Sequence, residues 1–261
     1  MPGCPDNRVP HARRVTSTRY LEIADRLAAE LAACAPGTRV ASENEISTRF
    51  GVGRAASRSA LQELERRLVV RRIQGAGTFV NRRIDYVISR RRPPSWTATV
   101  TAAGATPRAH VKAVERMPMP ADLAARLGVP VNTAAHRVIR HFYIDDLLVS
   151  RVHEWIPTDL VPDLGLALHA VESLDLVLRQ MGRVRPVRAW CRVSLDAAPP
   201  DVLAALQIEA SVPVWLVESV SRDGDSDRGL MCSSAWTRGD AVRMVVELDQ
   251  FVSPDDVKEE Q

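Results

Sequence analysis

The sequence predicts an α+β protein of two domains, a helical amino-terminal domain that ends in a hairpin and a strand-rich carboxy-terminal domain. Apolar residues recur at the three- and four-residue steps of helices between Tyr20 and Leu68. Runs of β-type residues, bounded by turn residues, follow between residues 107 and 251. The charge divides in the same way: residues 1–92 carry 18 arginines against nine acidic residues, net +9, and the remainder is net −6. A basic domain joined to an acidic one suggests that the first meets a polyanion and the second has another task.

The composition and the motif content exclude several classes of protein. The chain has 261 residues, 46% of them hydrophobic, which is typical of a globular protein that can bury its own cores. We find no apolar stretch long enough for a membrane span or a signal peptide, so we expect a cytoplasmic protein without a membrane partner. The four cysteines are scattered, and G-x-S-x-G, H-E-x-x-H and P-loop motifs are missing. We therefore expect no catalytic residue, no metal and no cofactor.

Changes in composition divide the chain into five segments. We predict a flexible leader at 1–17, a first domain at 18–82, a linker at 83–106, a second domain at 107–253 and a tail at 254–261. The leader lacks periodicity and mixes Pro, Gly and Arg. The linker is rich in arginine and contains Pro93-Pro94, which is typical of an exposed connection.

The order of elements in the first domain is that of a winged helix-turn-helix. The predicted elements are a helix from Tyr20 to about Ala33, a short helix opened by the capping box Ser42 to Glu45, a turn at Gly51 to Gly53, a helix from Arg54 to Arg67, and a hairpin of Val69 to Ile73 and Thr78 to Asn81. In this fold the second helix of the turn enters the DNA major groove. Arg54 and Arg58 are four residues apart and project from one face of that helix. Their guanidinium groups suit guanine edges and phosphate oxygens.

The segment from Tyr20 to Val80 contains a series of short motifs: Pro36-Gly37-Thr38-Arg39, Ser42-Glu43-x-Glu45, Phe50-Gly51-Val52, Arg54, Arg58, Ala60-Leu61-x-x-Leu64 and Gln74-Gly75-x-Gly77-Thr78-Phe79-Val80. With these motifs the segment resembles the DNA-binding domain of GntR-type bacterial transcription regulators. This resemblance implies a double-stranded DNA operator as partner and the DNA-binding residues Arg39, Glu43, Asn44, Arg54, Arg58, Arg71, Arg72, Gly75 and Gly77. We expect Arg39, Arg71 and Arg72 to lie beside phosphates.

Several positions depart from the pattern of that family. Gly53 replaces Ser or Thr, Ala56 and Ser57 replace Thr and Val, Ala76 replaces a basic residue, and Leu68 occupies the usual Gly position after the recognition helix. We expect Ser57 to weaken core packing. We also expect the recognition helix to end without a glycine, the residue that adopts the left-handed conformation at the lowest energetic cost. The lost hydroxyl and the lost charge predict a weaker or altered operator preference.

The second domain is predicted to be mixed α/β, with seven β-type runs and short helices at 122–127, 173–181 and 201–206. It also contains a weak internal repeat, since residues 120–129 resemble residues 199–208. Either the similarity of two short Ala-Leu helices arises by chance, or two related halves surround one sheet and leave a cleft between them.

Residues 107–251 resemble the UTRA effector-binding domain of HutC-type GntR regulators, whose fold is similar to chorismate lyase. The matching segments are His136 to Arg140, Trp155-Ile156-Pro157, Glu172-Ser173-Leu174, Leu206 to Val214 and Arg238-Gly239-Asp240. The resemblance implies a cleft for a small, often anionic metabolite, which Arg137, Arg140 and Ser173 would bind. The candidate effector-binding residues are Arg137, Arg140, His153, Glu154, Ser173, Met231 and Trp236. Phe142 and Met231 stand where the family commonly has an Arg and a Glu.

The predicted function is transcription regulation, as a repressor rather than an activator. We expect a homodimer that binds an inverted-repeat operator and responds to a small-molecule effector. Three alternatives remain open at this stage. They are a constitutive regulator that has lost its effector, an enzyme of lyase-like fold, and the helical metal-binding effector domain of another GntR branch.

Overall fold

The computed structural model describes residues 12–73, 75–89, 95–209 and 212–247, with side chains from residue 19 onwards. The chain divides into two compact units, Met1–Arg82 and Arg83–Gln261. Each unit has its own hydrophobic core.

The first unit is a winged helix-turn-helix. Its elements are α1 Ala12–Leu31, α2 Glu43–Phe50, α3 Arg54–Arg66, β1 Val70–Ile73 and β2 Gly77–Val80. The two strands form an antiparallel hairpin, the wing, in which Val70 pairs with Val80. The three helices and the wing enclose one core that includes Ile23, Leu27, Ile46, Leu61 and Leu64. Helix α1 begins at Ala12, inside the predicted leader, whose residues 1–11 lie outside the described residues.

The turn between α2 and α3 follows from local sequence. Ser42 and Glu45 form the predicted capping box, in which the Ser42 hydroxyl accepts from the Glu45 amide and the Glu45 carboxylate accepts from the Ser42 amide. Gly51 ends α2 with a φ of 61°, in the left-handed region that favours glycine. Gly53 caps α3 without a side-chain hydrogen bond. The turn therefore presents the start of α3 with Arg54 as its first residue.

The structure shows how the fold accommodates two of the departures from the family pattern. Ser57 is fully buried, but its hydroxyl bonds the Ser47 hydroxyl at 2.9 Å across α2 and α3, so the polar group in the core is compensated. Leu68 itself adopts the left-handed conformation, with a φ of 59°, just after α3 ends. This conformation costs about 1–2 kcal/mol for a residue other than glycine. Asn81 helps to hold the turn by donating to the Leu68 carbonyl at 3.2 Å.

The second unit is built around one antiparallel sheet. Its elements are β3 Ile84–Ile88, α4 Trp96–Ala102, β4 Pro107–Pro118, α5 Ala121–Leu127, β5 Ala134–Ile144, β6 Leu147–Pro157, α6 Leu164–Ala170, α7 Leu174–Gln180, β7 Pro186–Leu195, α8 Pro200–Leu206, β8 Val214–Asp223, β9 Gly229–Arg238 and β10 Val242–Val246. The sheet has six strands in the order β4-β5-β6-β9-β8-β7, and β3 pairs in parallel with β10. This arrangement is the predicted mixed α/β domain.

The topology of the sheet agrees with the internal repeat seen in the sequence. Each half consists of one strand, one short helix and two strands, β4-α5-β5-β6 and β7-α8-β8-β9, and the halves meet where β6 pairs with β9. Helices α5 and α8 both end in a left-handed residue, Gly128 and Gln207. The similar ten-residue segments therefore occupy equivalent places in two related halves.

The two faces of the sheet are covered by different helices. Helices α6 and α7 cover one face, where Val138, Ile156 and Leu164 belong to the largest core cluster. Helices α5 and α8 contact β9 and β6, and Leu127 packs on the other face with Cys232. Since neighbouring residues of a strand point to opposite faces, this division decides which side chains can meet a ligand on either side.

The segment predicted as a linker, 83–106, contains one strand and one helix. Residues Ile84–Ile88 form β3, which pairs along its whole length with β10, and Ile84 is buried. Helix α4 follows at Trp96–Ala102 and buries Val100. This apolar strand is short and flanked by arginines, so the local sequence pattern does not predict it. Its partner strand β10 is too distant in the chain for the pairing to be predicted from local sequence. Pro93-Pro94 and the predicted tail at 254–261 lie outside the described residues.

Candidate functional site

The first unit contains a groove between the start of α2, helix α3 and the wing. Five of the nine predicted DNA-binding residues line it: Arg39, Glu43, Arg72, Gly75 and Gly77. Asn44 is exposed in the first turn of α2, and Arg54 and Arg58 are exposed at the start of α3. Arg71 is half-buried in β1. The fold therefore collects these residues on the elements that a winged helix-turn-helix presents to DNA.

Glu43 holds Arg58 across the turn. The Arg58 Nε lies 3.3 Å from both carboxylate oxygens of Glu43. The Arg58 side chain is 60% exposed, whereas that of Glu43 is 28% exposed. An exposed ion pair of this kind contributes about 0–1 kcal/mol, so the guanidinium can exchange Glu43 for a base or a phosphate at little cost. Glu43 therefore orients the Arg58 guanidinium and does not prevent it from changing partners.

The wing is bound to the segment before α2 by backbone hydrogen bonds. The Val40 amide donates to the Thr78 carbonyl, and the Val80 amide donates to the Thr38 carbonyl, both at 2.8 Å. This pairing sets Arg39 beside the wing tip, where a Cβ added to Gly77 would lie 3.6 Å from the Arg39 Nε. Gly75 and Gly77 have φ values of 76° and 121°, so both positions favour glycine on conformational grounds.

The arginines of the first unit divide into paired and unpaired groups. Glu63 is buried and accepts from Arg66 and Arg67, whose hydrogen bonds lower the pKa of Glu63 to about 2. Arg67 also reaches Asp25 of α1, so this cluster joins two helices. Within the described part of the chain, Arg39, Arg54 and Arg72 make no ion pair. Their charges remain available for an external polyanion.

The second unit contains a cavity on the face of the sheet that α6 and α7 cover. Its floor consists of alternate residues of the central strands: Arg140, Phe142, Ser150, Val152, Glu154, Val217, Ser219, Ser221, Met231, Ser233, Ala235 and Thr237. Tyr86 and Met244, which pair in register on β3 and β10, also line it, as do Trp96 and Asp175. The cavity has about 890 Å³ of empty space, its open mouth included, which suits a small metabolite.

Arg140 lines this cavity, but its charge is compensated by the protein. Its Nε donates to Glu154 at 2.7 Å, and a second nitrogen donates to the other oxygen of the same carboxylate. A third bond, at 3.1 Å, reaches the carbonyl of Glu172. Arg140 and Glu154 are only 6% and 5% exposed, and the guanidinium lies 4.7 Å from the Phe142 ring centroid. The arginine expected to bind an anion is therefore half of a buried ion pair.

The other candidate effector-binding residues lie on opposite faces of the sheet, and only those on one face line the cavity. Glu154, Met231 and Ser173 line the cavity, and the Ser173 hydroxyl caps α7 by accepting from the Leu176 amide. Arg137, His153 and Trp236 do not line it, because strand alternation turns them to the opposite face. Arg137 pairs instead with Glu115 at 3.0 Å on the neighbouring strand β4.

Burial keeps the histidines of that opposite face neutral. It lowers the pKa of His153, and it lowers the pKa of His141, two positions before Tyr143 on β5, to about 4. Both imidazoles are therefore uncharged at neutral pH. Among the described residues no group of three or more His, Cys, Asp or Glu side chains is placed to hold a metal ion.

Sequence reasoning missed much of the cavity wall. Trp96 stacks on Phe142 with ring centroids 5.4 Å apart, and Tyr86 accepts a 2.9 Å hydrogen bond from Arg188 of β7. Tyr86 and Trp96 lie within the predicted linker at 83–106, where the sequence predicts no binding residue. Asp175 could have been found, since it lies in the first turn of the helix that Ser173 caps.

A winged helix-turn-helix with exposed arginines, joined to a domain with a metabolite-sized cavity, defines a transcription regulator that binds DNA and responds to an effector. The family model described as bacterial regulatory proteins, gntR family, matches residues 19–80, and the UTRA domain model matches residues 102–243. The chain therefore belongs to the gntR family of bacterial regulatory proteins and carries a UTRA domain. The predicted fold class and the predicted regulatory function are confirmed.

Individual relatives support the same assignment. The chain is 26% identical over 214 residues to the HTH-type transcriptional regulator GgaR of Escherichia coli strain K12, covering 81% of this chain and 82% of that protein. It is 22% identical to the probable fructoselysine utilization operon transcriptional repressor of the same strain, covering 81% and 86%. The crystal structure of PhnF from Mycobacterium smegmatis shares the fold, with a TM-score of 0.57, 24% identity and coverage of 87% of this chain and 99% of that one. None of the described helices has the length and apolarity that a membrane crossing requires.

Proposed function

We propose that this protein is a cytoplasmic homodimeric repressor that binds an inverted-repeat operator and changes its operator affinity when a small molecule occupies the cavity. It acts by binding alone and not as an enzyme. The observation that carries the proposal is the exposure of Arg54 and Arg58 on one face at the start of α3, beside a groove lined by Arg39 and Arg72.

In this proposal α3 enters the major groove. Arg54 and Arg58 contact base edges, Asn44 lies against the adjacent backbone, and Arg39 and Arg72 contact phosphates near the wing. Gly53 provides no hydroxyl for a phosphate contact, and Ala76 provides no charge at the wing tip, so we expect an operator preference different from that of typical relatives. One short helix and one wing give modest affinity, and two linked copies on two half-sites multiply it.

The route from the cavity to the first domain is the strand β3. It begins two residues after Arg82, where the first unit ends, and it carries Tyr86 into the cavity wall. A ligand that contacts Tyr86 acts on a strand joined directly to the DNA-binding domain. The ligand shifts operator affinity to the extent that it binds the two states of the protein differently.

The DNA-reading role is tested with Arg54→Ala and Arg58→Ala on an operator selected from a DNA pool. Each variant is expected to lose about 1–3 kcal/mol of specific binding, because a bidentate contact to guanine is lost. Binding to random DNA should fall much less. The matched control is Arg66→Ala, which removes the same charge from the far end of α3, where Arg66 pairs with Glu63.

Equal losses on operator and random DNA would show that the two arginines contact phosphate only. If Arg66→Ala lost as much operator affinity as Arg58→Ala, Arg58 would contribute only its net charge to DNA binding.

A further inference from the structure

The ionisable side chains that line the cavity sum to a negative formal charge. Arg140 and Arg188 provide two positive charges, and Glu154, Glu172 and Asp175 provide three negative ones. Three of these charges are compensated by ion pairs, since Arg140 is bonded twice to Glu154 and Asp175 pairs with Arg179 at 2.8 Å. Among the described lining residues this leaves one cation, Arg188, and one anion, Glu172, outside an ion pair. The lining therefore offers an anionic metabolite no net electrostatic attraction.

Three buried polar atoms in the cavity wall have no hydrogen-bond partner. They are Asp175 Oδ1, Arg188 Nε and Ser221 Oγ, which make up three of the five such atoms found in the described residues. The other Asp175 oxygen accepts from Arg179 at 2.8 Å, and Arg188 donates to Tyr86 through a terminal nitrogen. Ser221 is 1% exposed. Each of the three atoms has less than 1 Å² of exposed surface, so a ligand reaches it only when the side chain turns towards the cavity. Unpartnered buried polar atoms are destabilising, and a ligand that satisfies them after such a turn gains affinity from each.

The three atoms require different partners. Asp175 Oδ1 needs a donor, Arg188 Nε needs an acceptor, and Ser221 Oγ takes either. A phosphate or carboxylate oxygen can serve only Arg188 and Ser221, and it repels Asp175. A hydroxyl group is donor and acceptor at once, so hydroxyls can serve all three positions.

The rest of the cavity surface fits a hydroxylated ring or chain. The floor carries hydroxyl pairs, Ser150 with Thr237 and Ser219 with Ser233, each with its oxygens 2.8 Å apart. Trp96 stacks on Phe142 of the floor, and this aromatic pair offers an apolar surface to the carbon face of a ligand. Apolar walls with a few placed polar groups are typical of small-molecule sites.

We infer that the cavity binds a small polyhydroxylated compound without phosphate or carboxylate groups, that is, a free sugar or polyol, with or without an amino group. The inference rests on the proposed function only in taking this cavity as the effector site. It replaces the anionic effector expected from Arg137 and Arg140, since the first lies on the other face of the sheet and the second is ion-paired.

The test is a thermal-shift screen of the full-length protein, followed by calorimetric titration of the compounds that stabilise it. The library contains free sugars, polyols and amino sugars, each beside its phosphate ester and its sugar acid. Stabilisation is expected only from the uncharged and amine-bearing members. Stabilisation by the phosphate esters or the acids instead, or by no polyhydroxylated compound at all, contradicts the inference.

Two variants test the role of the unpartnered atoms with the compound that binds. Asp175→Asn is expected to weaken binding about tenfold, because a charged acceptor is replaced by a neutral one. Ser221→Ala is expected to leave the free protein as stable as before or more so, because it removes an unsatisfied buried group, and yet to weaken binding. The control is Asp146→Asn, which removes a charge from a fully exposed site of the same unit. Unchanged affinity in both cavity variants overturns the inference.

Operator binding measured with the same compounds separates this inference from the proposed function. A free sugar that binds in the cavity without changing operator affinity contradicts the proposed function and supports the ligand class. A phosphate ester that binds and changes operator affinity supports the proposed function and overturns the ligand class.

Discussion

The ion pair of Arg140 and Glu154 decides both the stability and the chemistry of the cavity. Two charges are buried side by side, and the guanidinium is further held by the carbonyl of Glu172. Removing one member of such a pair leaves the other as an uncompensated buried charge, which destabilises a protein by about 3–5 kcal/mol. Arg140 therefore shapes the cavity more than it offers charge to a ligand.

We predict that Arg140→Ala lowers the free energy of unfolding of the second unit by about 3–5 kcal/mol. The double variant with Glu154→Ala should lose less than the sum of the two single variants. Urea unfolding followed by tryptophan fluorescence measures this, since all five tryptophans lie in this unit. Arg137→Ala, which breaks a partly exposed pair with Glu115, should cost about 1 kcal/mol or less. Equal costs for Arg137→Ala and Arg140→Ala would refute this assignment.

Helix α3 carries different tasks at its two ends. It begins with the exposed Arg54, and its last turn is fixed by the buried Glu63, which accepts from Arg66 and Arg67. Arg67 continues the network to Asp25 of α1. The arginines at the end of the helix stabilise the domain, whereas Arg54 and Arg58 at its start are exposed, as the proposed DNA contact requires.

The lowered pKa of Glu63 predicts a pH dependence of stability. The Glu63 pKa is about 2 in the folded protein and near 4.5 in the unfolded chain, so folding favours the ionised form. The stabilisation is complete above pH 4.5 and is lost as the pH falls towards 2. Glu63→Gln should therefore remove part of the acid sensitivity of the helical circular dichroism signal. Glu65→Gln, on the same helix, leaves the Glu63 cluster intact and should keep the acid sensitivity of the original protein.

Local signals explain which elements could be predicted from the sequence. The capping box at Ser42, the turn at Gly51 and the wing with its two glycines depend on neighbouring residues, and the structure has all of them. The pairing of β3 with β10 joins residues about 158 positions apart, as in Arg243 with Asp85, and no local pattern reports it. The cavity residues were predicted only in part, because neighbouring candidates such as His153 and Glu154 point to opposite faces of one strand, and only Glu154 lines the cavity.

At the scale of the whole molecule, the second unit is both a ligand-binding domain and the attachment point of the first. Strand β3 follows Arg82 in the chain, pairs with β10 and places Tyr86 against Arg188 in the cavity wall. The same strand therefore belongs to the cavity and to the connection between the units. The proposed signal transfer therefore starts from a paired strand.

We predict that Tyr86→Phe weakens the effect of the effector on operator affinity more than it weakens effector binding. The substitution keeps the ring and removes only the hydroxyl that accepts from Arg188. The measurement is the ratio of operator Kd values with and without saturating effector. Tyr143→Phe, whose ring lies beside His110 and does not line the cavity, is the control and should leave that ratio unchanged. An unchanged ratio in Tyr86→Phe would contradict the proposed route.

The proposed function depends on sequence-specific binding of DNA by two linked copies of the winged helix-turn-helix. The most direct measurement is selection of bound fragments from a random DNA pool by the full-length protein, followed by titration of the selected site with one half-site scrambled. We predict an inverted repeat whose half-sites lie about one helical turn apart, and a large loss of affinity when either half is scrambled. Salt-sensitive retention of all fragments, without enrichment of any repeat, would contradict it.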